Sequence, residues 1–135
     1  MAEEADHLFV YGKLRPDAPD NTEPLGNTCG AKKAWLMGGR LYCFNKGGQD
    51  QAAVRLDEAG HAVAGYVVKA ACSGTISALL QESESKEYSP KLYERDIVEV
   101  RTEKGEQVFT YVYHRPDVDI SKPVPKGDWL QRSQR

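Results

Sequence analysis

Long apolar runs are missing from the 135 residues. None approaches the roughly 18 consecutive apolar positions that a membrane-spanning helix needs, so no membrane partner is expected. Cysteine is scarce and odd in number. Cys29, Cys43 and Cys72 are widely spaced, form no CxxC pair and have no histidine cluster beside them, so they read as free, reduced thiols in core or loop positions. His7, His61 and His114 are isolated along the chain and read as strand-end or surface histidines; neither a metal nor a cofactor is expected. Charge of one sign is also lacking: the formal net charge is −2, with acids and bases interspersed. Without a basic field to neutralise phosphates, nucleic acid is not an expected partner. The opening "MAEEADH" has neither the cationic nor the apolar segment of a signal peptide, which points to a soluble, cytoplasmic protein.

A 40% hydrophobic content is enough for one core, and residues 1–135 are expected to form a single domain whose last part, 115–135, is an extended tail. The run from His7 to Tyr11 reads as a buried strand ended by Gly12. Residues 16–30 hold three prolines and two glycines and read as a long loop, of the kind that tends to be functional. "KKAWLMGGRLYCF" is a strand pair or one bent strand, kinked at Gly38 and Gly39. Val54 and Leu56, then "DEAG", then "HAVAGYVVKA" predict an antiparallel hairpin whose long arm is a central strand. A helix over "GTISALLQESESKE" has Ser73 as its cap and an apolar face of Ile76, Leu79 and Leu80; Pro90 stops it. "LYERDIVEVRTEKGEQVFTYVYHRP" is the clearest hairpin, turning at "TEKGE". In the tail Ile120, Val124, Trp129 and Leu130 are the anchors, Trp129 foremost. Six or seven strands and one main helix without a βαβ alternation predict an α+β fold with a small, mixed, strongly curved sheet.

Two stretches have the residues for chemistry. In "HLFVYGKLRP" the glycine is followed by Lys13-Leu14-Arg15 rather than by turn residues. Gly12 permits a positive φ that aims successive N–H groups at one point, a concavity suited to a carboxylate, and Arg15 adds a bidentate donor. The same residues also fit an ordinary turn carrying two solvated cations. The second stretch is the acid-rich helix end, with Glu82, Glu84, Glu87 and Glu94. Such acids commonly form a solvated helix face; one at the mouth of a cleft can shuttle a proton instead.

"FVYGKLR" resembles the VYG(S/T)LR signature of the gamma-glutamylcyclotransferase-like family (AIG2-like, gamma-glutamylamine cyclotransferase type), and other motifs follow in the family's order. Glu87, Pro90, Tyr93 and Arg95 are similar to its acid, proline, tyrosine and arginine; "HAVAGYVVKA" resembles its V-x-GEVY strand, "FTYVYHRP" its closing aromatic strand, and "GDWLQR" the tail of its small bacterial members. The resemblance implies a barrel-like mixed sheet and an enzyme that releases 5-oxoproline from a gamma-glutamyl amine or peptide, through attack of the substrate's α-amine on its own γ-carbonyl. It implies Glu87 as the general acid and base; matching the family's leucine-aspartate pair on Leu80-Gln81 makes Glu84 the acid instead. Backbone donors from Tyr11 through Gly12 and Lys13 to Leu14 hold the substrate carboxylate or the oxyanion, Arg15 adds its contact, Tyr93 lies beside the acid and Tyr113 walls the pocket. Lys13 replaces the signature's small hydroxyl residue, which bears on specificity. The implied partner is a small gamma-glutamyl or similar anionic molecule, bound by a monomer or weak dimer. The competing reading is a non-catalytic binding or regulatory module on the same scaffold.

Overall fold

The structure is a computed structural model, and it describes residues 7–12, 15, 28–46, 49–56, 60–70, 76–86, 88, 93–115, 124, 127 and 128. Among them lie seven strands and one helix: β1 (His7–Val10), β2 (Thr28–Met37), β3 (Arg40–Lys46), β4 (Gln49–Arg55), β5 (Ala62–Ala70), α1 (Ile76–Lys86), β6 (Glu94–Thr102) and β7 (Gln107–His114). Five strands close into a barrel in the order β1-β5-β2-β6-β7, while β3 and β4 form a separate two-stranded sheet. Every barrel ladder is antiparallel except the closing one, where β1 runs parallel to β7 with Leu8 opposite Tyr111. The fold is therefore α+β with a mixed, closed sheet and one helix, as the sequence pattern predicts.

Strand β5 lies at the centre because both of its edges and both of its faces are covered. It pairs with β1 on one side and β2 on the other, and Val63, Ala64, Val67 and Val68 are all buried. A strand buried on both faces reads as a near-continuous apolar run, and this one does. Its partner is not the arm expected from sequence. Val54 lies on β4, which pairs throughout with β3, from Arg40 opposite Arg55 to Lys46 opposite Gln49. The predicted hairpin of the Val54 arm with "HAVAGYVVKA" is thus corrected: two adjacent alternating runs reveal two strands and their faces but not which edges meet. The chain changes sheet between β2 and β3 at Gly38, whose φ of +82° is a left-handed conformation open to glycine, and whose N–H bonds the His61 carbonyl at 2.9 Å.

The β6–β7 hairpin forms as expected. Gly105 has φ +84° and donates to the Thr102 carbonyl at 2.9 Å, and the Thr102 hydroxyl accepts the Glu106 N–H at 3.2 Å. Within the tail, Val124 is buried and bonds the Leu41 carbonyl at 2.8 Å, tying the tail to β3. Of the expected loop 16–30, residues 28–30 instead open β2, where Thr28 pairs with Ala70 of β5; residues 16–27, Ser73, Ile120, Trp129 and Leu130 lie outside the described residues.

Candidate active site

The end of α1 is built by serine and tyrosine. Ser83 is buried, its hydroxyl donating back to the Leu80 carbonyl at 2.8 Å, and its own carbonyl accepts the Tyr88 N–H at 3.0 Å. A serine bonded within its own helix is a weak interior residue, which suits a helix about to end. The second bond turns the chain back so that the Tyr88 ring enters the core. There it stacks on Tyr113 at 5.2 Å between centroids and 16° between planes, lies 5.3 Å from Tyr11, and meets Tyr93 edge-on, also at 5.3 Å. Four tyrosines, from the position after β1, the α1–β6 connection and β7, thus share one buried cluster. Buried phenols need partners. The Tyr88 oxygen accepts the Tyr11 N–H at 3.3 Å, Tyr93 donates to the Ala52 carbonyl at 2.6 Å, and Tyr11 donates to the Tyr113 carbonyl at 2.5 Å.

Tyr113 donates to a carboxylate, the Glu84 Oε2, at 2.6 Å. Arg95, directly across the β6–β7 ladder from Tyr113, brings Nη1 to 3.5 Å from the same oxygen. The Glu84 side chain is 23% exposed, so it stands at the border between the tyrosine cluster and water. Burial pushes the Tyr113 phenol up to about 12, and its hydrogen bond to Glu84 adds to the rise. The phenol therefore keeps its proton at neutral pH and serves as a donor. The Arg95 guanidinium is raised above its usual value, first by its hydrogen bond with Tyr113 and also by the charge of Glu84. A carboxylate held by a phenol and a guanidinium, with one edge toward solvent, is oriented to exchange a proton with a bound molecule.

The raised phenol makes a testable demand on stability. A tyrosine in the unfolded chain ionises near pH 10, whereas Tyr113 in the folded chain holds its proton to about 12. Its stabilising contribution is fully present below the unfolded value and is lost as pH rises through the folded one. Denaturation midpoints measured from pH 9 to 12 are expected to fall less steeply for Tyr113→Phe than for the parent chain. Parallel curves would remove Tyr113 as the source.

The residues expected from sequence fall into three groups. Tyr11, Tyr93, Tyr113 and Glu84 belong to or border the cluster. Of the two tyrosines expected near the acid, Tyr113 bonds Glu84, whereas the Tyr93 hydroxyl is directed to Ala52. Gly12 is buried and its carbonyl accepts the Arg15 N–H at 3.1 Å, closing a turn immediately after Tyr11. Arg15 does bind a carboxylate, that of Asp128 at 2.7 Å; its side chain is fully buried, with the guanidinium 5.7 Å from the centroid of the Tyr66 ring. Lys13, Leu14 and Glu87 lie outside the described residues. Sequence reasoning missed Tyr88 and Asp128. Tyr88, next to Glu87 and before Pro90, had a local signal in being an aromatic residue within an acidic stretch. Asp128 lies in the "GDWLQR" stretch, but nothing local pointed to Arg15, which is 113 residues away.

The opposite face of the same hairpin gathers Glu94, Asp96 and His114, whose donor atoms lie within 4.8 Å of one another. These are the residues of a cation site in kind. The His114 Nε2 is hydrogen-bonded to the Asp96 carboxylate at 2.7 Å, a contact that accounts for this arrangement by itself. The three residues alternate with Arg95 and Tyr113 along β6 and β7, and so face away from Glu84.

Several solved structures share this fold. The chain is similar to YkqA from Bacillus subtilis (TM-score 0.63, 21% identity, 93% of this chain and 40% of that one). It is also similar to the human uncharacterised protein loc79017 (TM-score 0.60, 22% identity, 91% of this chain and 73% of that one). A third similar structure is described as a gamma-glutamyl cyclotransferase (TM-score 0.57, 21% identity, 90% of this chain and 73% of that one). The chain thus spans less than half of the Bacillus protein and about three quarters of the other two. No curated protein sequence shows significant similarity to it. The family model described as "Gamma-glutamyl cyclotransferase, AIG2-like" matches residues 8–131, which takes in β1, the turn at Gly12, α1, Glu84 and the β6–β7 hairpin. The chain belongs to the gamma-glutamyl cyclotransferase, AIG2-like family.

Proposed function

We propose that the chain is a gamma-glutamyl cyclotransferase-type enzyme that releases 5-oxoproline from a gamma-glutamyl conjugate, with Glu84 as general base and then general acid. The observation that supports this most is the setting of Glu84: a carboxylate at the edge of a buried tyrosine cluster, held by the Tyr113 hydroxyl at 2.6 Å and Arg95 at 3.5 Å. The same cluster, through Tyr88, holds the Tyr11 N–H at the start of the turn that resembles the family signature.

In the reaction the substrate's α-amine nitrogen forms a bond to its γ-carbonyl carbon, closing a five-membered ring. The bond from that carbon to the departing nitrogen then breaks. One proton leaves the attacking amine and one is gained by the departing amine, so a single carboxylate can take it and return it without water being consumed. Because both reacting atoms belong to one molecule, much of the barrier is removed by holding the glutamyl chain folded. In this reading backbone donors around Tyr11 to Leu14 hold the substrate carboxylate or the oxyanion. The partners that orient its carboxylate support Glu84 in this role, and Glu87, the acid that the resemblance implies first, is the alternative. The test is incubation with a panel of gamma-glutamyl peptides and amines and assay of 5-oxoproline, with Glu84→Gln and Glu87→Gln in parallel. Loss confined to Glu87→Gln would move the role to that residue, and no product from any conjugate would favour a non-catalytic binding module.

A further inference from the structure

Among the described residues the large apolar side chains that stand in water are Met37, 64% exposed, Phe109, 65%, and Ile97, 37%. They come from three strands, and the strand registers bring them to one face. Trp35 of β2 is opposite Arg101 of β6, so one step of two residues along these antiparallel strands brings Met37 level with Glu99. Glu99 is in turn opposite Phe109 of β7, and Ile97 is opposite Tyr111. Opposed residues share a face. The other face carries the buried Ala34, Val100, Thr102 and Val112, so this set is on the outer wall of the barrel. Trp35, Met37, Ile97, Phe109 and Tyr111 form its apolar part, with Glu99 and Arg101 on the middle strand between them. Both charged residues are exposed, and among the described residues neither has an ion-pair partner. Exposed apolar residues scattered singly are ordinary, whereas a continuous set on one face marks an interaction surface. Because the barrel is closed, β6 and β7 have no free edge to extend another sheet, and association has to use this face.

We propose that this face joins two copies of the chain about a two-fold axis that crosses β6 level with Val100. The inference is independent of the cyclotransferase reading. Charge identifies the occupant. Glu99 and Arg101 are two residues apart on one strand, about 7 Å along it. A two-fold axis in the plane between two stacked faces, at right angles to β6 and level with Val100, carries position 99 of one copy onto position 101 of the other. Each Glu99 then meets an Arg101 of the second copy, and the pair forms twice. A patch complementary to itself under a two-fold is what an isologous contact requires. The same rotation lays Met37 over Trp35 of the second copy, a thioether against an aromatic ring. Phe109 covers the ion pairs from the other side, so neither charge is buried without a partner. A patch three strands wide is at the low end of interface size, below about 1,200 Å² in total, which predicts a dimer that dissociates on dilution.

Sedimentation equilibrium of the full chain from about 1 μM to about 1 mM tests the contact, and a concentration-dependent dimer is expected. Glu99→Arg alone sets cations against cations, and Arg101→Glu alone sets anions against anions. Each is expected to raise the dissociation constant at least about tenfold. An equimolar mixture of the two variants is expected to associate again, because one copy then offers two cations and the other two anions. A folding defect cannot produce that recovery, and both positions are exposed, where substitution has little effect on the fold. Phe109→Ser is expected to weaken the dimer by about tenfold through lost apolar burial, with an unchanged circular dichroism spectrum. A chain that stays monomeric throughout the range overturns the proposal. So does a dimer indifferent to both charge reversals, which places the contact elsewhere, and so does a mixture that associates no better than its components.

Discussion

Glu84→Gln is expected to release 5-oxoproline about a hundredfold to ten-thousandfold more slowly than the parent chain, the range that a positioned general acid–base group contributes. The amide keeps the size and shape of the carboxylate and can still accept from the Tyr113 hydroxyl through its carbonyl oxygen. It cannot take a proton at neutral pH, and so cannot relay one from the attacking amine to the departing nitrogen. Tyr113 and Arg95 meet the same oxygen, so the amide carbonyl still faces both, and the variant loses only the negative charge in the contact with Arg95 at 3.5 Å. That contact is on the exposed side of Glu84, where an ion pair contributes little to stability. The melting temperature is therefore expected to change by only a few degrees, separating a chemical loss from a folding loss. A Glu84→Gln chain that retains the parent rate with a conjugate the parent accepts would remove Glu84 from the chemistry. Rate measurements under saturating substrate show where the loss falls: in kcat, if the proton is in flight in the slow step.

Gly65→Ala is expected to destabilise the fold by about 3 kcal/mol, the upper part of the range for forcing atoms into a packed interior, and to lower the melting temperature by roughly 10 °C. Gly65 is on β5 opposite Ala34 of β2, in the strand that also carries β1 on its other edge. A Cβ there would stand 2.4 Å from the Val10 carbonyl oxygen and 2.8 Å from the edge of the Phe9 ring. The nearer atom is backbone, which cannot rotate away as a side chain can. What must shift is the point where β1 ends and the chain enters Tyr11 and Gly12. The Tyr11 N–H bond to Tyr88 depends on that placement. Calorimetry of the purified variant reads the stability loss; an unchanged transition would mean that the end of β1 moves aside without cost. Activity measured well below the transition temperature is expected to fall as well, because the displaced backbone begins the proposed carboxylate cradle.

The sequence by itself determined a good part of the protein. Alternation across "LYERDIVEV" and "QVFTYVYHRP", with a glycine near the turn, specified the β6–β7 hairpin, since local periodicity and turn chemistry act over a few residues. The largely apolar run "AVAGYVVKA" specified a central strand. The ordered motifs, from "FVYGKLR" near the start to "GDWLQR" near the end, specified the family, which the match over residues 8–131 bears out.

Tertiary structure alone decided which edges and which side chains meet. Residues on β4 alternate much as a hairpin partner of β5 would, yet β4 pairs with β3, because both edges of β5 are taken by β1 and β2. Helical spacing does not show which side chains meet Glu84; the stacking of Tyr88 on Tyr113 and the pairing of Tyr113 with Arg95 bring two donors to it. Arg15 read from its neighbours in sequence as either a carboxylate donor or a solvated cation, and only the fold shows it buried and joined to Asp128 across 113 residues. Local patterns express preferences of a few adjacent residues, while a site is a set of distances between remote ones. Those distances exist only once the barrel closes with β1 against β7, setting Tyr11 beside Tyr113 and the end of α1 over both.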